Sequence, residues 1–423
     1  MVKLLQKSLR EYRGVSILTP ILVSLEVVME CIIPFITARL VNEIKAGCSI
    51  DEILRIGGLL VLMAALSLLF GSLAGLTCST ASCGLGKNLR HDIFHAVQGF
   101  SFENIDHFLT SSLVTRMTTD VTVIQNAVIG GVRPLVRSPV MLFMGIGLSI
   151  MMNARLALVF IICTPVLGLI MFFVVRSVAP RYSVLQRAVD RLNAVVQEDL
   201  TAIRAVKAFV RGEYEEEKFS SANGALMETS AGTFRRAVLN LPALQLAMYC
   251  SVVGIMWFGG NMIISSQLKV GELTGFLSYV LQVMNSLMLI SNVFLMLTRS
   301  LASARRIGEV LDEAPALSSP DGAVTEVADG SVDFEGVSFK YRADAAEYAL
   351  SGVDLHIKAG ETVGILGGTG SAKSTLVNLI SRLYDVTEGS VKVGGRDVRE
   401  YDIETLRGQA AVVLQKNQLF AGT

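Results

Sequence analysis

Gly367-Gly368-Thr369-Gly370-Ser371-Ala372-Lys373-Ser374-Thr375 is a run of closely spaced glycines that ends in a lysine and two hydroxyl residues. Glycines at this spacing let backbone N–H groups curl around phosphate oxygens, and the N-terminus of a following helix adds the positive end of its dipole. The apolar segment 361–366 precedes the loop as a predicted strand, and apolar residues recur at helical spacing from Leu376 to Leu383. A strand, a glycine-rich loop and a helix in this order predict a phosphate loop that binds a nucleotide.

The polar residues of this loop predict its two ligands, ATP and Mg²⁺. Lys373 is expected to reach the β- and γ-phosphates, and the hydroxyl of Ser374 is expected to ligate Mg²⁺. Ala372 stands where a glycine usually precedes the lysine, and its methyl group is acceptable if this residue has the torsions of a first helical turn. A structural turn that binds no nucleotide is the alternative interpretation.

Two positions outside the loop fit the same site. Tyr341 ends the first predicted strand, 331–341, where its ring is placed to stack on an adenine; a core tyrosine is the alternative. A further strand is predicted at 349–357. Val412-Val413-Leu414-Gln415 has the pattern of an apolar strand that ends in an amide, and Gln415 is a candidate contact to the metal or to the attacking water.

The composition excludes an ordinary soluble protein. Hydrophobic residues make up 52% of the chain and charged residues only 17%, whereas soluble domains average about 25% charged residues. The 37 basic and 37 acidic side chains balance, so no nucleic-acid partner is indicated. The apolar character fills 15–298 and then gives way to a sequence rich in glycine and charge. We therefore predict a transmembrane domain over 1–310, a linker over 311–330 and a partial nucleotide-binding domain over 331–423.

Six apolar stretches are long enough to cross a bilayer as helices, because a hydrocarbon core of ~30 Å needs ~20 helical residues. They are 15–38, 53–82, 130–152, 155–178, 239–265 and 273–298. Short connections alternate with two long ones, 83–129 and 179–238, which are polar and helical in pattern. The predicted fold class is a polytopic α-helical membrane domain of six long helices, followed by an incomplete α/β phosphate-loop nucleotide-binding domain.

The distribution of lysine and arginine predicts the orientation in the membrane. The N-terminus and both long connections carry most of these residues, with Arg133 and Arg137 counted in the first long connection. These parts of the chain, and everything after 298, are therefore predicted to be cytoplasmic. The apolar run after the N-terminus is too long for a signal peptide and is interpreted as an uncleaved first span. A multi-pass protein of a bacterial plasma (cell) membrane is the simplest expectation.

The long connections are predicted to project from the membrane as helical rods. A helix from 53 to about 98 would be ~70 Å long, more than twice the hydrocarbon thickness, unless Gly84 and Gly86 kink it. Turns are predicted at 110–112 and at 207–213, where short polar segments interrupt the helical pattern. The tips are placed to press on a soluble domain, and solvated hairpins without such a role are the alternative.

Glu26 and Glu30 lie one helical turn apart inside the first predicted span. A carboxylate at membrane depth is costly and normally faces a protein interior or a water-filled one. We interpret the pair as lining a cavity that favours cationic or amphiphilic cargo. The alternative is that both carboxylates hydrogen-bond a neighbouring helix or lie near the outer surface.

Together these residues resemble the ATP-binding cassette (ABC) exporters of the six-helix, half-transporter type, and the resemblance covers nearly the whole chain. The specific matches are the phosphate loop 367–375, Tyr341 at the adenine-stacking position, and Gln415, which looks like the glutamine of the family's Q-loop. Segments 116–121 and 204–209 are similar to the first and second cytoplasmic loops of the family.

The resemblance implies an ATP-driven exporter subunit that moves a small hydrophobic or amphiphilic substrate across a membrane. In the family, the intracellular tips dock on the nucleotide domains, and two such domains sandwich two ATP molecules. ATP binding turns the membrane cavity outward and hydrolysis resets it. The implied partners are a second half-transporter, identical or different, together with the membrane lipids and the substrate. The implied enzymatic activity is that of a transport ATPase.

The remaining catalytic motifs of the family lie after its Q-loop. The signature motif, the Walker B aspartate with its catalytic glutamate, and the switch histidine do not occur before Thr423, and His356 precedes the phosphate loop. We therefore expect no catalytic residue in this chain beyond the metal or water contact of Gln415. We expect a truncated sequence, with a naturally short protein as the alternative. A nucleotide-gated channel or regulatory subunit, or a fragment that does not hydrolyse ATP, are the alternative functions.

Overall fold

A computed structural model describes residues 2–342 and 344–413. These residues divide between a helical unit and a unit that contains a sheet. The helical unit comprises Glu11–Ser82 and Asn126–Thr298, and the second unit comprises the described parts of Met1–Arg10, Cys83–Gln125 and Arg299–Thr423.

Long helices account for most of the chain, as the sequence predicts. In chain order the helices are α1 Val2–Leu9, α2 Arg13–Ala46, α3 Ile50–Gln98, α4 Phe102–His107, α5 Thr110–Thr115, α6 Val121–Met152, α7 Ala154–Ala208, α8 Gly212–Ala237, α9 Asn240–Ile264, α10 Val270–Leu311, α11 Lys373–Ile380 and α12 Ile403–Gln409. The six predicted spans coincide with parts of α2, α3, α6, α7, α9 and α10. A single π-helical turn at Arg116–Asp120 joins α5 to α6.

Three helical segments of the described residues can cross a membrane by length and composition: Gln6–Ala46, Ile50–Gln98 and Thr110–Met152. Met248–Ile264 is a shorter apolar helix. These segments contain the first three predicted spans and most of the fifth. A helical membrane domain with several apolar helices is therefore confirmed, whereas the number of six spans stays a prediction.

The core of the helical unit is built around α10. Phe276 and Tyr279 are fully buried there, and Leu156 of α7 and Ile255 of α9 pack into the same cluster. The phenol of Tyr279 donates a hydrogen bond of 2.7 Å to the carbonyl oxygen of Cys31 in α2. This bond satisfies the one polar atom of a buried aromatic ring, and it ties α10 to α2.

The predicted turn at 110–112 is wrong. These residues begin α5, and the chain breaks earlier, after α3 and again after α4. The backbone N–H of Ser101 donates to Oδ1 of Asn104 at 3.1 Å, while the N–H of Asn104 donates to Oγ of Ser101 at 3.4 Å. This reciprocal cap satisfies free donors at the start of α4 and so fixes a new helix there. No side chain caps α5, so its hydroxyl residues mark no turn.

The predicted turn at 207–213 is confirmed, because α7 ends at Ala208 and α8 begins at Gly212. The long helices before each break are also confirmed. α3 runs for 49 residues without interruption at Gly84 or Gly86, and α7 runs for 55 residues. At 1.5 Å per residue these helices are ~74 Å and ~83 Å long, more than twice the ~30 Å of a hydrocarbon core.

The sheet of the second unit has four strands in the order β2-β1-β3-β4, and neighbouring strands are antiparallel. The strands are β1 Val332–Phe339, β2 Leu350–Ile357, β3 Glu388–Val393 and β4 Arg396–Asp397. β1 and β2 confirm the two strands predicted before the loop. β3 and β4 are short and contain several charged residues, so the hydrophobic pattern does not reveal them. Phe334, Val337 and Val391 are fully buried against Leu379 of α11.

The strand predicted at 361–366 is wrong, because no strand forms there in the structure. A strand needs a neighbour for its backbone N–H and C=O groups, and no described segment pairs with this one. Leu366 is 97% exposed and Val413 is 85% exposed, so the apolar character that predicted strands at both segments is not buried by the described residues.

Candidate nucleotide-binding site

The glycine-rich loop wraps back on itself directly before α11. Gly370 has φ +87°, a left-handed conformation that glycine adopts without steric cost. A Cβ atom on Gly367 would lie 2.6 Å from Oγ of Ser371, so a larger residue here would displace the Ser371 hydroxyl. The Ser371 hydroxyl donates to the Gly368 carbonyl oxygen at 2.9 Å and closes the loop. The N-terminus of α11 therefore directly follows a tight glycine-rich loop, as the sequence predicts.

The torsions expected for Ala372 are wrong. This residue has φ 58° and ψ 24°, which is left-handed rather than right-handed helical. Helix α11 begins one residue later, and Ala372 contributes only its carbonyl oxygen, which accepts from Leu376 N–H at 3.1 Å. A left-handed L-residue costs about 1–2 kcal/mol, a cost that the glycine usually found at this position avoids.

The side chain of Lys373 points back into the loop. Its ammonium donates to the carbonyl oxygens of Gly367 at 2.9 Å and Gly368 at 2.6 Å, and to Oγ of Ser371 at 3.1 Å. Ser374 is exposed in the first turn of the same helix, and Thr369 is exposed in the loop. A cation, a hydroxyl and a helix N-terminus converge at one place, and this donor set fits a nucleotide phosphate with its Mg²⁺.

Tyr341 is brought to this loop although it lies on the other side of β2 in the sequence. Its phenol oxygen is 2.8 Å from Oγ1 of Thr375, which is buried in α11. Its ring packs edge-to-face on Phe339, with centroids 4.9 Å apart, and on Tyr384, with centroids 5.3 Å apart. Tyr341 remains 45% exposed, so part of it is accessible to a ligand, and a buried core tyrosine is not what the structure shows.

Tyr384 belongs to the site and the sequence pattern does not reveal it. The residue is 9% exposed, and its phenol donates a 2.7 Å hydrogen bond to Oδ2 of Asp106 in α4. The ring of Phe102, also in α4, lies 6.1 Å from its ring. Burial, then the bond to Asp106, raises the pKa of Tyr384 above its ordinary value, so the phenol stays a donor. Tyr384 therefore links α4 to the tyrosine beside the loop.

Further contacts fix α4 and α5 within the same unit. The side-chain amide of Asn104 donates to Glu313 at 2.9 Å and accepts from the N–H of Ala316 at 2.9 Å. Arg116 forms an ion pair of 3.1 Å with Glu309. Segment 116–121, which resembles the family's first cytoplasmic loop, is therefore joined through Arg116 to the end of α10, and α4 is joined through Asn104 to the residues that follow α10.

Gln415 lies outside the described residues, so its predicted contact to metal or water stays a prediction. Within the described ranges, no group of three histidine, cysteine, aspartate or glutamate side chains is placed to hold a metal ion. Ser374 is therefore the described side chain predicted to contact Mg²⁺, with the nucleotide phosphates as the remaining ligands.

Glu26 and Glu30 line a cavity of about 650 Å³, as predicted, but Arg133 and Arg137 line it too, so the preference for cationic cargo is not supported. Glu26 accepts from Arg133 and Arg137, each at 3.1 Å, and Arg137 also donates to Glu30 at 2.5 Å. The two arginines lie in α6, inside a predicted span, rather than in a polar connection. A Cβ atom on Gly71 would lie 2.9 Å from Oε1 of Glu26, so α3 also closes on the cluster. The structure favours the alternative that these carboxylates bond a neighbouring helix.

A phosphate loop at a helix N-terminus, an aromatic ring beside it and a domain of apolar membrane helices define a membrane protein that binds a nucleotide. Comparison with known proteins agrees. The model of the ABC transporter transmembrane region matches residues 16–287, and the ABC transporter model matches residues 350–423. The chain therefore belongs to the ABC transporter family, with its membrane region before its nucleotide-binding region.

Three relatives illustrate the range of the family. An uncharacterized ABC transporter ATP-binding protein of Bacillus subtilis is 32% identical over 422 residues, which cover 99% of this chain and 73% of the relative. An ATP-dependent lipid A-core flippase of Desulfotalea psychrophila is 28% identical over 80% of this chain and 59% of its own length. A multidrug efflux ATP-binding/permease protein of Mycobacterium tuberculosis is 31% identical over 79% of this chain and 28% of its own length.

Proposed function

We propose that this chain is one subunit of an ATP-driven exporter that moves a small hydrophobic or amphiphilic substrate across the membrane by alternating access. The observation that carries the proposal is the phosphate loop with Lys373 inside it, in a chain whose first part is a helical membrane domain. The division into a membrane domain over 1–310, a linker over 311–330 and a nucleotide domain over 331–423 is part of the proposal.

The substrate class rests on the relatives. One relative is named a lipid A-core flippase and another a multidrug efflux protein. The described charges of the first span are paired with arginines, which gives no reason to prefer cationic cargo. We therefore propose an amphiphilic or hydrophobic substrate without a required net charge.

The nucleotide is ATP in this proposal, and its terminal phosphoanhydride supplies the free energy of transport. Gly367, Gly368 and Gly370 and the N–H groups of 369–375 would hold the phosphates, with Lys373 neutralising their charge. Ser374 would ligate Mg²⁺, and Tyr341 would stack on the adenine. Gln415 is proposed as a second contact to the metal.

The proposed assembly contains a second half-transporter, either identical or different, because nucleotide domains of this family act in pairs. ATPase activity is proposed for the paired protein. The N-terminus and nucleotide domain are proposed to lie in the cytoplasm of a bacterial cell, since the basic residues of the long connections favour that side. The contact between Tyr384 and α4 would then transmit the effect of nucleotide binding to the membrane helices.

The test is ATP-dependent accumulation of a lipophilic fluorescent dye in inverted membrane vesicles. Vesicles with the wild-type protein should accumulate dye against its gradient, and Lys373→Ala should abolish this. Lys358→Ala, which removes an exposed lysine ahead of the loop, is the matched control and should transport normally. Dye that only equilibrates when ATP is added would favour the nucleotide-gated channel. Absence of both ATP binding and accumulation in the wild type would favour the non-hydrolysing fragment.

A further inference from the structure

Three arginines converge on a cavity between α7 and α8 in the helical unit. The cavity has a volume of about 550 Å³, and Arg176, Arg181 and Arg236 line it together with the hydroxyl residues Ser177 and Thr233. Thr233 is 2% exposed and donates its hydroxyl hydrogen to the carbonyl oxygen of Thr229 at 2.8 Å. Hydroxyl residues, which also include Thr229, and arginine side chains are thus the polar lining of this cavity.

The charge of this cavity is not balanced by the chain. Among the described residues, none of the three arginines forms an ion pair or a side-chain hydrogen bond with a carboxylate, whereas Lys218 of α8 is paired with both Glu198 and Glu215. Three guanidinium groups around one space repel each other, and an oxyanion with several acceptor oxygens relieves that repulsion. Guanidinium matches phosphate particularly well, because its planar N–H fork bonds two oxygens at once.

Apolar surface adjoins the arginines. Pro180 and Val184 line the cavity, and the neighbours of Arg236 in the chain include Val238 and Leu239, which are 65% and 64% exposed. The cavity also lies where the apolar run 155–178 ends on α7 and where the apolar run 239–265 is about to begin. With the predicted spans, this position is the border between hydrocarbon and water, at which basic pockets between membrane helices bind lipid head groups.

We propose that the cavity of Arg176, Arg181 and Arg236 binds the phosphate of an anionic lipid, with its acyl chains against the adjoining apolar residues. A lipid phosphate and a free phosphate ion would both bind the arginines through their oxyanion. The apolar residues beside the cavity favour the lipid, because they can contact its acyl chains. The site goes beyond the proposed transport function. It relies on the proposed orientation only for the leaflet, which is the cytoplasmic one.

The experiment measures binding of phosphatidylglycerol and of phosphatidylcholine to the purified full chain in a neutral detergent. The test variant is Arg176→Gln/Arg181→Gln/Arg236→Gln. The matched control is Arg187→Gln/Arg191→Gln/Arg235→Gln, which removes three exposed arginines from the same two helices outside the cavity. Each arginine near an anionic head group contributes roughly fivefold in affinity, and screening reduces the combined effect of three. The test variant should therefore bind phosphatidylglycerol about 10–100 times more weakly. The control variant and the affinity for phosphatidylcholine should change by no more than about twofold.

Two results would overturn the proposal. Equal losses in the test and control variants would mean a general attraction to basic helices rather than a site. Competition by soluble glycerol phosphate at the same concentration as the lipid would mean a site for free phosphate. ATP binding is measured in parallel and should be equal in all variants, which shows that they are folded. Lipid binding is measured without nucleotide. A negative result for the lipid site is therefore distinct from a negative result for the proposed transport function.

Discussion

The phosphate loop and the cluster of Glu26, Glu30, Arg133 and Arg137 both concentrate charge, but they balance it differently. In the cluster, two carboxylates and two guanidinium groups satisfy each other within the helical unit. In the loop, no described carboxylate lies within ion-pair distance of Lys373, whose ammonium is bonded to backbone carbonyl oxygens and a hydroxyl instead. Charge that the chain balances itself stabilises the fold, and charge that it leaves unbalanced indicates a ligand.

The largest effect on stability is expected when one charged side chain is removed from the cluster. Arg137→Gln leaves Glu26 with one partner and Glu30 without its 2.5 Å bond, in a mostly buried setting. Removing one member of a buried pair costs about 3–5 kcal/mol, and partial exposure of these side chains reduces the expected loss to about 2 kcal/mol. Thermal unfolding of the purified protein should show a lower Tm.

The control for this prediction restores balance. The fourfold variant Glu26→Gln/Glu30→Gln/Arg133→Gln/Arg137→Gln removes all four charges and should recover much of the lost stability. Transport gives a second reading, because Glu26→Gln/Glu30→Gln should reduce efflux of cationic and neutral dyes together. Selective loss of cationic dye efflux would instead support a cavity that attracts cations, contrary to the ion pairs described here.

Tyr341 tests the ligand side of the comparison. Tyr341→Ala removes the half-exposed ring beside the loop and should weaken ATP binding by about 10-fold, since stacking of a base on an aromatic ring contributes ~1–3 kcal/mol. Tyr341→Phe keeps the ring, loses the contact to Thr375, and should bind ATP nearly as well as the wild type. An equal loss in both variants, measured by titration with a fluorescent ATP analogue, would assign the residue a structural role.

Tyr384 shows whether the loop is connected to α4. Tyr384→Phe removes the bond to Asp106 and should lower stability by about 1–2 kcal/mol, as expected for a hydrogen bond to a charged acceptor. Asp106→Asn should add little in the Tyr384→Phe background, because both changes remove the same interaction. Tyr401→Phe is the matched control, since its phenol bonds the Val393 carbonyl and does not contact α4. Only Tyr384→Phe should uncouple dye transport from ATP binding.

The smallest effect is expected at Ala372. Ala372→Gly removes the steric cost of an alanine in a left-handed conformation, but it also raises the conformational entropy of the unfolded chain. The steric term is the larger, so a net stabilisation of about 0.5–1 kcal/mol is expected. Ala302→Gly, at an exposed position inside α10, should destabilise by about 1 kcal/mol because the torsions there are already helical. Chemical unfolding that shows the same sign for both changes would contradict the torsions described for Ala372.

The elements that the sequence predicts well are those whose pattern is local. Long apolar helices, the turn at 207–213 and the strands on either side of Tyr341 depend on periodicity over a few residues, and all are found. The strand at 361–366 is not found, because a strand depends on a neighbour that the local pattern does not contain. The turn expected at 110–112 is replaced by breaks after α3 and after α4. The side-chain cap at Ser101 begins a new helix after the first break, and the run of hydroxyl residues lies inside α5.

The candidate site divides in the same way. The glycines and Lys373 are recognised from spacing alone, because their role depends on adjacent residues. Tyr384 is not recognised, because its role arises from contacts with Asp106 and Tyr341, which are distant in the chain. The partners of Glu26 are missed for the same reason, since Arg133 lies 107 residues further along the chain.

The most direct test of the account is the affinity of the full chain for ATP with Mg²⁺, compared between the wild type, Lys373→Ala and Lys358→Ala. If the unbalanced cation of the loop marks the ligand site, Lys373→Ala should weaken binding by about 10–100-fold, as expected for hydrogen bonds to a charged group. Lys358→Ala should bind like the wild type. Unchanged affinity in Lys373→Ala, with the protein folded, would contradict the account.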